Sequence, residues 1–476
     1  MKLARASISF ALALSLAACG GGGSAPPTSG TGGGSTPTPP PPTAQCSLAS
    51  RQAWVKEVID EWYLFPSLVD NTVNPSSFTS LQDYIDALVA PARAQSQDRF
   101  FTYITSIEEE EAFFNSGSSA GFGVRLGYDT TNNRVFVIEA FENAPALTAN
   151  IDRGTEILAI GTTQASAQSV STLMANGGPQ AVIDALGPST AGTSRYIQFR
   201  PAGGATTDTT IAKADYSLDP VSDRYGAKVI DDNGKKVGYV NLRTFINSAD
   251  PDLRAAFQDF RNQGVTEVIL DFRYNGGGLV SIAELMGDLM GQDKVGQVFS
   301  RTTLRSSKAN LNEQRNFEAA GQAIAPTKIA IIGRSGTASA SELVANAFIP
   351  YLGNNIALVG TNTFGKPVGQ FGFDLAACDD RLRVVAFRTE NRDGGGDYYT
   401  GLASVMPNTC SANDDIFKPL GDPTEASVAT ALDFLAGRPC TAISKAGQGV
   451  QAERPQREIL QPDRPSAAQR EVPGMF

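Results

Sequence analysis

The chain has 476 residues, 41% of them hydrophobic, with a formal net charge of −10 and a pI near 4.8. That length accommodates two or three domains with their own cores. The acidic balance, without a dense Lys/Arg stripe, argues against a nucleic-acid partner. Histidine is absent altogether, which removes Ser-His-Asp and Cys-His catalysis and every imidazole metal site. Hydrolytic chemistry here needs another base, and no metal or cofactor is expected.

Lys2 and Arg5 precede an apolar run over 8–18 that is too short to span a bilayer, so 1–18 reads as a signal peptide. Leu16-Ala17-Ala18-Cys19 resembles a bacterial lipobox, which implies acylation at Cys19; an ordinary signal peptide with a stray cysteine is the alternative. Gly20, rather than Asp, resembles signals that allow passage to the outer membrane. The Gly/Ser/Thr/Pro tract over 19–45 reads as a flexible tether. Four cysteines remain, and an even number in an exported chain permits two disulfides. Cys46 and Cys440 flank the folded region while Cys378 and Cys410 flank one segment, so those are the expected pairs, with free thiols as the alternative.

Residues 46–106 read as a small helical module. Trp54, Val55, Val58, Ile59 and Trp62 recur at helical spacing, and Ser80 caps a second run of Leu81, Tyr84, Ile85 and Leu88. The acidic run Glu108 to Glu111 behind Ser106 reads as a solvated helix start. Over 107–215 the period becomes two: Phe122, Val124, Leu126 and Tyr128 alternate before a turn at Asn132-Asn133 and a returning strand. Further strands and two helices follow in an order that resembles a PDZ domain. The resemblance places Gly121-Phe122-Gly123-Val124 at the carboxylate-binding loop, where backbone N–H groups hold a C-terminal carboxylate and the adjacent strand edge pairs with the peptide. Gly154-Thr155 departs from that family's frequent Gly-Asp. Residues 216–440 alternate strand and helix, with "KVGYVNL", "EVILDF", "KIAIIG" and "NIALVG" as apolar strands of a largely parallel sheet buried on both faces. The Pro-, Gln- and Arg-rich tail, 441–476, reads as disordered.

Three loops follow strands of that sheet, where open parallel sheets form their ligand crevice. "DFRYNGGGLV" offers glycine N–H groups suited to an oxyanion, "GRSGTASASE" a serine cluster, and "TNTFGKPVGQ" a lysine. On its own, Ser339-Ala340-Ser341-Glu342 is a capping box. Together the loops describe an acyl-transfer site in which a desolvated lysine amine activates a serine. Their order after a PDZ-like segment closely resembles the S41 carboxyl-terminal processing (tail-specific) proteases, over about 50–436.

That resemblance implies a multidomain α/β fold: a crotonase/ClpP-like core, an inserted PDZ domain and the N-terminal helical module. It implies Ser339 as nucleophile, Lys366 as base, Gln370 orienting the lysine, and an oxyanion hole from the N–H groups of Gly277 and Ala340. Ser341 with Glu342 is left to help begin the helix. Pro367 stands where the family usually has glycine. A helical turn or bulge must therefore bring Gln370 back to the amine, because a straight strand would hold the two side chains roughly 13 Å apart.

The sequence is thus read as a lipid-anchored, periplasm-facing endopeptidase of the bacterial envelope, at the outer membrane in preference to the inner, acting on proteins with exposed C-termini. An activating adaptor or a homo-oligomer is left open. The rival readings are a catalytically silent PDZ adaptor and another Ser/Lys acyl hydrolase, an amidase or esterase.

Overall fold

The computed structural model describes residues 46–444 and 457–476. The expected signal peptide, tether and acylation site at Cys19 lie outside the described residues. So does part of the tail. Among the described residues no helix is long and apolar enough to cross a membrane.

β-Branched and leucine-rich runs build the central sheet. Its six strands lie in the order Ala227–Asp232, Lys235–Asn241, Glu267–Asp271, Lys328–Gly333, Ile356–Gly360 and Asn408–Ser411, all parallel after the first hairpin. Every residue of Glu267–Asp271 and Ile356–Gly360 is buried, as strands covered on both faces require. Helices Ala249–Asn262, Val280–Met290 and Ala340–Leu352 contribute to the core on one face, and Ala426–Leu435 to that on the other. The strand carboxyl ends of Glu267–Asp271, Lys328–Gly333 and Ile356–Gly360 carry the three loops singled out in the sequence.

The 46–106 segment forms helices Leu48–Trp62 and Leu81–Leu88, with Ser80 accepting the Asp83 N–H at the start of the second. It has no core of its own. Val55, Ile59 and Ile85 pack with Val368, Leu382 and Val384 of the antiparallel pair Val368–Leu375 and Asp380–Glu390. The acidic run forms helix Ile107–Ser116 capped by Ser106, but it is not simply solvated. Glu110 is fully buried and accepts from Arg383 Nε at 2.9 Å and Arg381 Nη1 at 3.1 Å, because two arginines of the neighbouring strand compensate its charge.

Between these parts lies a second sheet domain, strands Val124–Asp129, Arg134–Ala140, Glu156–Gly161, Ser194–Arg200 and Thr207–Ala212, with helices Pro145–Thr148 and Val170–Leu186. The longer helix is broken at Gly178, where φ is +64° ahead of Pro179. This strand and helix order matches the sequence reading.

Two expectations fail. The disulfides are Cys46–Cys378 and Cys410–Cys440. Helix Leu48–Trp62 packs on the hairpin whose turn carries Cys378, while Cys440 follows the helix that covers Cys410, so fold rather than chain position decides the pairs. The tail is not disordered where it is described. Residues 458–459 pair with Val124–Asp129, Ser466 caps a short helix Ala467–Glu471, and Leu460, Val472, Met475 and Phe476 are buried.

Candidate active site

Helix Ala340–Leu352 starts directly after Ser339, which sits at φ +54°, ψ −115°. That is a costly backbone for a residue with a side chain, and such strain concentrates at functional turns. The Glu342 carboxylate takes the Ser339 N–H at 3.1 Å, completing the expected capping geometry from one side. It does more. Fully buried, it also accepts from Thr363 Oγ1 at 2.6 Å and from the N–H groups of Gly365 and Lys366 at 2.7 Å each. One carboxylate therefore ties the serine turn to the lysine loop. Burial raises its pKa and these hydrogen bonds lower it, with a net upward shift. In the sequence Glu342 read only as a helix starter.

Ser341 does not start the helix, which already includes Ala340. Its buried Oγ donates to the Asn275 carbonyl at 3.2 Å, and the Ala338 N–H donates to the same oxygen at 3.0 Å. Asn275, at the head of the triple glycine, thus clamps the serine turn from the other side. The residues before it explain "DFR": Arg273 is buried between Asp271 (Nε–Oδ1 2.9 Å) and Glu425 (Nη2–Oε2 2.9 Å) and fixes the loop's root. Gly277 adopts φ +121°, and a Cβ there would meet Ser339 Cβ at 2.7 Å, so only glycine lets this loop lie against the serine.

Lys366 lies ahead of strand Val368–Leu375, whose pairing is irregular between Gly369 and Gln370. The required bulge is there. Lys366 Nζ donates to Gln370 Oε1 at 2.6 Å, and Gln370 Nε2 donates to the Phe101 carbonyl, which fixes the amide's orientation. Pro367 is no obstacle, since its carbonyl accepts the Thr389 N–H at 2.9 Å from the neighbouring strand. Desolvation lowers the Lys366 pKa; the carboxylates of Glu471 and Asp98 oppose that shift, while Arg470 and Arg383 reinforce it.

The structure brings Ser339, Ala340, Gly277, Lys366 and Gln370 to one end of the sheet. Two engagements are not made. Among the described residues no hydrogen bond joins Ser339 Oγ to Lys366 Nζ, and the Gly277 N–H donates to Asn275 Oδ1 at 2.9 Å. Gly121 to Val124 lie at the start of the second sheet domain. A cleft of about 1030 Å³ adjoins the serine and lysine loops, lined by Phe101, Gly276, Ala338 and Lys366 together with residues of the tail.

The model of peptidase family S41 matches residues 236–402, the stretch that carries all three loops. A carboxyl-terminal-processing protease of Synechocystis is 26% identical over 327 residues, covering 68% of this chain and 70% of that protein. The processing protease CtpA of Bacillus subtilis is 27% identical over 266 residues, 56% of this chain and 52% of the relative.

The chain carries a peptidase family S41 match over 236–402.

It is a serine-type peptidase similar to the carboxyl-terminal processing proteases. A solved chain from Bacteroides fragilis assigned to the S41 proteases shares the fold of this chain, with a TM-score of 0.61 at 23% identity, over 81% of this chain and 97% of that one.

Proposed function

We propose that this S41 peptidase is an envelope endopeptidase that recognises C-terminal tails through a PDZ domain at Gly121–Val124 and cleaves with Ser339, Lys366 and Gln370. The observation that carries the catalytic part is the Lys366–Gln370 contact at 2.6 Å beside a strained serine turn, in a chain without histidine. Desolvation makes the neutral amine accessible, and Gln370 holds it.

The amine takes the Ser339 Oγ proton as the oxygen attacks the scissile carbonyl carbon, and then gives that proton to the leaving amine. Water, activated by the same amine, releases the acyl group and regenerates Ser339. Ala340 lies at a helix N-terminus and offers its N–H to the oxyanion, with Gly277 as the second donor once it leaves Asn275 Oδ1. Acylation at Cys19 would tether the enzyme to the outer membrane, facing the periplasm.

The test is incubation of purified protein with an unfolded protein bearing an apolar C-terminal tail. Cleavage that depends on Ser339 and on the tail supports the proposal. Binding without cleavage would favour a silent adaptor, and hydrolysis of small amides or esters alone would favour another acyl hydrolase.

A further inference from the structure

The edge of strand Val124–Asp129 is the edge to which an incoming peptide would add, and the chain's own residues already occupy it. The Gly123 and Val124 N–H groups donate to the Phe476 main-chain oxygen at 2.9 and 3.1 Å. The Phe476 N–H donates back to the Val124 carbonyl at 2.8 Å, and the Leu126 N–H donates to the Gly474 carbonyl at 2.8 Å. This is main-chain pairing of the kind that captures peptides by strand addition. The Phe476 side chain is buried in the domain's core beside Phe122 and Leu126. A Cβ at Gly121 would lie 2.8 Å from the Phe476 carbonyl carbon, so the glycine leaves room for that main chain.

Going back from Phe476, the same segment crosses the protease loops. Arg125 Nη1 donates to the Pro473 carbonyl at 3.0 Å, and the Gly276 N–H donates to the Glu471 carbonyl at 2.9 Å, one residue from Gly277. Arg470 stacks on Tyr103, 3.7 Å from the ring centroid, and Glu471 is buried near Lys366. The unmade engagements at Ser339 and Gly277 coincide with this occupancy.

We infer that residues 458–476 are an internal occupant of the substrate path, a tethered peptide filling the tail-binding edge and the mouth of the serine–lysine cleft, which a substrate tail must displace. The inference rests on the reading of Gly121–Val124 as the tail-binding loop. A carboxylate held beside the lysine also opposes formation of the neutral amine, so displacement both opens the groove and frees the base. Tethering sets the cost: at an effective concentration on the order of millimolar, a segment of ~10–100 μM intrinsic affinity raises the apparent dissociation constant of a substrate about 10- to 100-fold.

The test compares the full chain with one lacking 458–476, using a fluorogenic unfolded substrate with an apolar tail and a labelled synthetic peptide of residues 465–476 as probe. The truncated chain should show kcat/KM at least about tenfold higher, bind the probe at least tenfold more tightly, and be inhibited by it competitively. Equal cleavage and equal probe binding by both chains would overturn the inference and leave the peptidase reading intact. Tighter probe binding by the truncated chain, with neither chain cleaving, would uphold the occupancy and sink the proposed catalysis. On the unaltered full chain, saturating probe should strip hydrogen-exchange protection from the amides of 472–476. Retained protection there would show a permanent structural strand and overturn the inference even if the truncated chain fails to fold.

Discussion

Two glycine-bearing loops, Gly121–Val124 and Asn275–Gly278, offer backbone N–H groups to a peptide, and the tail reaches both. At the first loop two donors are engaged by peptide main chain, the Phe476 oxygen taking the Gly123 and Val124 N–H groups. At the second, Gly276 serves the Glu471 carbonyl while Gly277 is held by the loop's own Asn275 side chain. On the proposed function, the difference separates a binding loop from a reaction loop. A binding loop can be saturated by its ligand, whereas an oxyanion site needs its donors free and already aimed at the place where charge develops.

The largest effect expected belongs to the reaction loop's partner. Ser339→Ala should lower kcat by at least about 10⁴-fold with an unchanged melting temperature, measured on a peptide substrate, while leaving tail binding at Gly121–Val124 intact. Loss of tail binding in that variant would erase the distinction between the loops.

Next comes the base. Lys366→Ala and Lys366→Arg should both be inactive, since a guanidinium does not deprotonate in this range. In the native enzyme kcat/KM should rise with pH as the ammonium loses its proton, its pKa having been lowered chiefly by desolvation. Glu471 and Asp98 favour the ammonium, and Arg470 and Arg383 disfavour it. Glu471→Gln should therefore move the rising limb to lower pH. A limb that stayed in place, or moved upward, would show that Glu471 does not act on the lysine.

Smaller effects concern the residues that hold these groups. Glu342→Gln cannot accept all four of its hydrogen bonds and leaves buried N–H groups unpaired, so it should cost about 2–3 kcal/mol in denaturant unfolding and reduce kcat more than KM. Gln370→Ala should lower kcat by up to about 10²-fold by releasing the amine from its orientation. The mildest is Ser341→Ala, which loses one buried hydrogen bond worth ~1 kcal/mol and retains activity.

Much of this was legible in the sequence because it was written in local pattern. Apolar β-branched runs announce the central strands, and Pro367 with the Lys366–Gln370 spacing poses the bulge that the structure contains. What escaped depends on distant partners. Glu342 looks like a helix cap because its first bond is local, while the other three reach 21 to 24 residues along the chain. Asn275 carries no sequence signal for its clamp on Ala338 and Ser341. The disulfides follow packing of a helix on a hairpin, which flanking positions do not encode. The tail's Pro, Arg and Gln content reads as unstructured, since its order comes from an accepting strand edge and a few anchors, Leu460, Val472, Met475 and Phe476.

The most direct measurement is mass-spectrometric mapping of the adduct formed with an organophosphonate serine probe. A single adduct on Ser339 is expected, forming faster as pH rises and absent from Ser339→Ala and Lys366→Ala. An adduct on Ser341, or labelling of Ser339 that is unchanged when Lys366 is replaced, would contradict it.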